Sequence, residues 1–325
     1  MNTVPVPPSG RPRVHVDAWD PAYGASFEAA PGPAAPSSAQ VDAAVELPPE
    51  RWRPLDTPEG VEPPPVVLLV DGVRRIDASL WIEEPDGTSY PGLAASYAAG
   101  VVRCDLRRRT AELVRAEVER GLFTASPSAE DIRAGQIRYA VHRVDGTGEP
   151  SRLQAAVQGP LTALEVRVSG AARTDGDLLV VDGPLHNRRQ LPRALGYVKT
   201  QQRQYLDGRL NAVVTGLGVR QRTPVFRLGT AWGNYSWYLR LPGPGRGPWA
   251  GIVRVECSAE LAEREAVTLA DLSLVTLPRF ASIAYKDPRA PQNLVPIAGL
   301  ERRLRARLGD GRLLHRALTL HSHRR

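Results

Sequence analysis

Val66-Val67-Leu68-Leu69-Val70-Asp71-Gly72 and Leu178-Leu179-Val180-Val181-Asp182-Gly183 are two apolar runs of strand length, each ending in an Asp-Gly pair. A short unbroken apolar run of this kind is a strand buried on both faces. The Gly after each Asp lets the backbone turn, so the pattern predicts two strand-to-turn junctions that hold carboxylates at one edge of a sheet. Two carboxylates on adjacent strands repel unless a cation sits between them, which is the arrangement of a metal-dependent phosphodiesterase. Asp-Gly is also ordinary turn chemistry, and the pattern alone leaves both readings standing.

Working outward, a return strand is predicted over 76–82, a turn at Glu83-Glu84-Pro85-Asp86-Gly87 and a third strand over 96–103, together an antiparallel meander. Residues 111–123 fit helix or strand, and 136–144 alternate as a strand. Leu153, Val157, Leu161, Leu164 and Val168 recur at helical spacing, with Pro160 as a break and Glu165 on the same helix. Past Asp182 the pattern predicts strands over 194–199, 225–228, 235–241 and 249–256. Helices are predicted near Leu210, over 259–277 and over 297–308. This order is that of an α/β, ribonuclease-H-like fold, a mixed sheet flanked by helices. The first Asp strand is central, the second lies parallel beside it, and the helix between them is the crossover. Asp71, Glu165 and Asp182 then form an all-oxygen site suited to a hard cation, Mg2+ or Mn2+.

Fifteen of the 30 prolines lie before residue 66, so 1–65 read as a Pro-rich N-terminal arm, with Trp19, Trp52 and Leu55 able to pin it. The expected division is this arm, a nuclease-like body over 66–309 and a basic C-terminal tail over 310–325. The net charge is +7, but it is unevenly spread. Residues 183–227 carry nine Lys or Arg against Asp207, and 301–325 carry eight Arg against Glu301 and Asp310. A basic stretch that starts beside Asp182 and includes Arg188 and Arg189 suits a polyanion, with Arg74, Arg75 and Lys286 as further phosphate contacts. Lys199 and Lys286 are the only lysines, and Lys199 at a strand end suits a point charge on a phosphate. One of Trp237 and Tyr238 is available to stack a base, the other being core. Cys104 and Cys257 make no metal-like spacing, which fits a reducing cytoplasm, and no apolar run reaches membrane-spanning length. There is no Walker loop, Rossmann glycine fingerprint, nucleophile elbow or zinc pattern.

Several stretches together resemble the NurA family of DNA-end-processing nucleases, in its bacterial branch. They are Leu69-Val70-Asp71-Gly72, Leu161-Thr162-Ala163-Leu164-Glu165, Leu179-Val180-Val181-Asp182-Gly183 and Gly196-Tyr197-Val198-Lys199. Tyr235 to Arg240, Ile252 to Glu256 and Lys286 to Leu294 complete the set. The resemblance implies Asp71 and Asp182 as metal ligands, Glu165 as a third and Mn2+ (or Mg2+) as cofactor. It further implies a 5′-3′ DNA nuclease, a homodimer, that resects ends with a HerA-like hexameric ATPase in double-strand break repair. Two departures stand out. Asp71-Gly72-Val73 replaces the frequent Asp-Gly-Ser, and Pro291 to Gly299 lacks the family's C-terminal metal-site His. Gln292, Asn293 or Asp287 are the oxygen-bearing substitutes. The missing His leaves an alternative, a catalytically inactive DNA-binding or adaptor subunit.

Overall fold

The computed structural model describes residues 13–16, 35–36, 40–146, 148–185, 191–199, 203–229, 233–243, 248–287 and 289–322. Its strands begin with β1 (Arg13–Val16), β2 (Ala35–Pro36), β3 (Gln40–Asp42), β4 (Val66–Glu83), β5 (Ser89–Asp105) and β6 (Thr110–Thr124). β7 (Ile132–Ala134) and β8 (Ile137–Arg143) precede helices α1 (Pro150–Ala156) and α2 (Gln158–Ala172). Then come β9 (Leu178–Asp182), β10 (Ala194–Val198), β11 (Arg203–Gln204), α3 (Gly208–Thr215), β12 (Phe226–Gly229), β13 (Asn234–Arg240) and β14 (Ile252–Ser258). The chain closes with α4 (Glu263–Thr276), α5 (Val295–Arg307) and α6 (Gly311–Ser322).

The main sheet runs β3-β12-β13-β14-β10-β9-β4-β5-β6-β8-β7, with β1 also on β4. β4, β5 and β6 are the antiparallel meander, and β9 pairs in parallel with β4, Val67 to Val70 against Leu178 to Val181. β10 continues in parallel beyond β9. Three antiparallel strands, then two parallel ones on the far side of the first, with α1 and α2 as the crossover, is the ribonuclease-H-like order. The mixed α/β architecture is thus as the sequence predicts.

The two faces of the sheet sort by residue parity. Val67, Leu69, Leu178, Val180 and Tyr197 pack with α4 and α5. Leu68, Val70, Leu179 and Val181 pack with Leu153, Leu161 and Leu164 of α1 and α2. Every one of these residues is buried, which is why β4 and β9 read as continuous apolar runs. Two glycines set how closely the helices approach. A Cβ on Gly100 would lie 3.0 Å from Leu304 Cδ2 and 3.1 Å from Leu300 Cδ1, so its absence seats α5 on β5. A Cβ on Gly72 would strike Glu165 Oε1 and lie 2.7 Å from Leu161 Cδ1, so its absence seats α2 on β4.

Two expectations differ from the structure, and one left open is decided. Asp71-Gly72 is not a turn, because β4 continues unbroken to Glu83. The return strand predicted over 76–82 is therefore the second half of β4, and the third strand predicted over 96–103 belongs to its first antiparallel neighbour, β5. The irregularity falls instead at Asp77, where the β4–β5 register shifts between Ile76 and Ala78. The buried Asp77 carboxylate accepts hydrogen bonds from Arg75 Nε (2.9 Å), Tyr139 Oη (2.9 Å) and the Ser96 hydroxyl. Residues 111–123 are strand, with Glu117 and Glu119 both paired to Arg167. The C-terminal segment is not simply a tail. It forms α6, with Leu314 and Leu318 buried. Of the N-terminal arm, residues 40–65 are bound to the body. Trp52 is buried against Phe226, and Arg222 bridges Glu46 and Asp271 at 2.7 and 2.6 Å.

Candidate metal centre

Parallel pairing of Val70 with Val181 brings Asp71 and Asp182, the next residue on each strand, side by side. Both share parity with the residues that face α5, so both carboxylates lie on that face. The turn predicted after Asp182 is real, since β9 ends there and Gly183 takes φ +108°, open chiefly to glycine. α5 supplies a third carboxylate. Glu301 follows the buried Leu300 on the helix, and Asp71, Asp182 and Glu301 each offer an oxygen within 4.8 Å of the others.

A shell of hydrogen bonds fixes this trio. Lys199 Nζ donates to Asp182 Oδ2 at 2.6 Å and to Asn293 Oδ1 at 3.1 Å. Asn293 Nδ2 donates to Asp287 Oδ2 at 2.6 Å, and the backbone N–H of Arg289 donates to Asp287 Oδ1 at 2.8 Å. The Arg289 guanidinium donates to both Glu301 oxygens, at 3.2 and 2.9 Å. Tyr197 Oη donates to the Gln292 carbonyl at 2.6 Å, anchoring the loop that carries Asn293. Burial and the neighbouring Asp182 hold the Tyr197 phenol well above its usual range, so it remains a donor.

Two atoms in this shell lack partners. Asp71 Oδ2 and Asp182 Oδ1 are buried and make no hydrogen bond, although Asp71 is only 8 % exposed. An ionised carboxylate oxygen buried without a donor is costly unless a cation meets it. Burial first, then Asp182 and Glu301, push the Asp71 carboxyl well above the ordinary carboxylate range, against the lowering pull of Lys199 and the Gly72 N–H. Burial likewise raises Asp182, with Lys199 opposing it. The three carboxylates and two orphaned oxygens fit a hard divalent cation, which favours oxygen ligands.

The sign of the linked pH effect follows. A carboxyl whose folded pKa is raised stabilises the fold below its unfolded pKa, and that stability is lost as pH rises through the folded value. A bound cation displaces the proton and relieves the repulsion. The increase in melting temperature on adding Mn2+ is therefore expected to grow between about pH 5 and pH 8. Thermal unfolding with and without Mn2+ across that range checks it, and a pH-independent increase would contradict it.

The remaining predicted site residues are placed as follows. Glu165 is buried on α2, at the would-be Cβ of Gly72, and so lies across the sheet from the face of Asp71 and Asp182. Arg74 donates to the Gln154 carbonyl of α1 at 3.2 Å. Arg75 is drawn to the end of α5, donating to the Gly309 carbonyl at 2.6 Å. Lys286 is exposed beside Asp287 in the loop before α5. The Gln292 side chain donates to the Ile252 carbonyl at 3.4 Å, whereas Asn293 belongs to the shell around Lys199. Arg188 and Arg189 lie outside the described residues. Trp237 and Tyr238 are both buried, so neither offers a face for stacking, and Trp237 Nε1 donates to Ser273. Glu301 was missed, and its one sequence signal is a lone acid beside the apolar stripe of an otherwise basic helix. No helix among the described residues is long and apolar enough to cross a membrane.

No family model matches the chain, and no curated protein matches it by sequence. Among solved structures, the chain is similar to the NurA nuclease from Sulfolobus solfataricus, with 11 % identity and a TM-score of 0.43 over 80 % of this chain and 85 % of that one. It is also similar to the catalytic domain of human endonuclease V, with 17 % identity and a TM-score of 0.33 over 79 % of this chain and 90 % of that one. Likenesses this distant assign no activity; the fold rests on the strand order above.

Proposed function

We propose that this chain is a metal-dependent deoxyribonuclease that hydrolyses phosphodiester bonds at the Asp71–Asp182–Glu301 face. The observations that carry the reading are the trio Asp71, Asp182 and Glu301, each offering an oxygen within 4.8 Å of the others, and the two buried oxygens, Asp71 Oδ2 and Asp182 Oδ1, that accept no hydrogen bond. A structural carboxylate cluster satisfies its oxygens with donors, and this one leaves two of them for something else. A divalent cation bound there supplies Lewis-acid polarisation of a phosphoryl oxygen and lowers the pKa of a water. Asp71, Asp182 and Glu301 would hold it. Asn293 and Asp182 keep the Lys199 ammonium at the site, a positive charge for a substrate phosphate. Arg302, Arg303, Arg305 and Arg307 are exposed on α5, the helix that carries Glu301, and give a phosphate backbone a track to the site.

Following the motif resemblance, we further propose Mn2+ as the preferred ion, 5′-3′ end resection, a homodimer and a HerA-like hexameric ATPase as partner in double-strand break repair. The direct test is digestion of single-stranded and linear duplex DNA with Mn2+, with Mg2+ and with EDTA. Cation-dependent cleavage abolished by EDTA is expected. Cleavage that survives EDTA would refute the site, and DNA binding without cleavage in either ion would favour the adaptor reading.

A further inference from the structure

Each paired aspartate has one oxygen satisfied and one left over. Asp71 Oδ1 accepts the Gly72 N–H at 2.7 Å, and Asp182 Oδ2 accepts Lys199 Nζ at 2.6 Å. Asp71 Oδ2 and Asp182 Oδ1 accept no hydrogen bond, and each is on a side chain at least nine-tenths buried. An aspartate that bridges two cations about 3.5–4 Å apart most simply offers one oxygen to each. In Asp182 that second oxygen is already engaged by a full positive charge.

The second oxygen of Asp182 is not loosely occupied. Lys199 is held from its other side by Asn293, which is fully buried and tied to Asp287. Two of the three ammonium donors are thereby used, and the ion pair is locked into the loop before α5. Charge leads to the same count. Asp71, Asp182, Asp287 and Glu301 stand against Lys199 and Arg289, a formal excess of two negative charges that one divalent ion balances.

We propose that Lys199 takes the place of a second cation, so that the centre admits one divalent ion, between Asp71 Oδ2 and Asp182 Oδ1. The ammonium then provides the second positive charge beside Asp182. This rests on the metal-site reading above and goes beyond it in fixing the stoichiometry and the residue that sets it.

The test is Mn2+ titration of the full chain without DNA, read by calorimetry and by the electron paramagnetic resonance signal. The wild type is expected to bind one Mn2+ per chain, with no spectrum of a coupled Mn2+ pair. Lys199→Ala frees Asp182 Oδ2 and removes the competing charge, and is expected to bind two, with a coupled spectrum at millimolar Mn2+. Lys199→Arg keeps the charge and is expected to stay at one. Lys199→Gln, closer in shape, serves if the Ala variant does not fold. Two ions in the wild type, or one ion still in the neutral variants, would overturn the role of Lys199 alone. No ion in any of them would overturn the metal site itself and this proposal with it.

Discussion

Asp71→Asn is expected to abolish DNA cleavage and, without added metal, to raise the melting temperature. The two effects have one cause. In the metal-free protein a buried carboxylate faces Asp182 and Glu301, with Oδ2 unpaired, and burial is the largest influence against its charge. Asn is nearly isosteric and neutral, and its Oδ1 can still accept the Gly72 N–H that Asp71 accepts at 2.7 Å. Removing the buried charge is expected to stabilise the metal-free fold by about 1–2 kcal/mol, or ~2–4 °C in a domain of this size. Cleavage should fall on the order of 10³-fold, because a lost metal ligand removes several kcal/mol of transition-state stabilisation. Scanning calorimetry and a nuclease assay on one preparation check both. A variant that melts lower and cuts normally would make Asp71 a structural residue.

Glu301→Gln is expected to weaken Mn2+ binding more than ~10-fold, a loss above about 1.4 kcal/mol, whereas Glu165→Gln should bind as the wild type does. The contrast follows from the two faces of the sheet. Glu301 comes down from α5 on the side of Asp71 and Asp182, and Glu165 comes from α2 against Gly72 on the other. Gln keeps the volume of either side chain and removes only the charge. Calorimetric titration of both variants reads the difference. Loss of binding in Glu165→Gln with retention in Glu301→Gln would assign the third carboxylate to α2 instead.

The paired aspartates were legible because buried parallel strands announce themselves as apolar runs, and the residue after each run is charged. What lay beyond Asp71 was not legible. Val73 to Glu83 mixes polar and apolar residues, and Asp71-Gly72 has the composition of a turn, yet the main chain stays extended through it. The bulge at Asp77 explains part of the irregularity, since one extra residue shifts the alternation of every residue after it. The strand character of 111–123 was hidden because Glu117 and Glu119 meet their partner in three dimensions, Arg167 on α2. Glu165 lies on the helix the sequence predicts, with its carboxylate against Gly72. A crossover helix covers one face of the sheet, but sequence does not say whether odd or even residues of β4 point toward it. Here the even ones do, Leu68 and Val70 among them, and Asp71 is odd. Glu301 lies more than two hundred residues from Asp71, and only the seating of Leu300 and Leu304 over Gly100 brings it in.

The most direct test of the centre is a crystal soaked in Mn2+ and measured at the manganese absorption edge. The account predicts one anomalous peak per chain, within coordination distance of Asp71 Oδ2, Asp182 Oδ1 and a Glu301 oxygen, with Lys199 still on Asp182. A peak bound through Glu165, or no peak at the paired aspartates at saturating Mn2+, would contradict it.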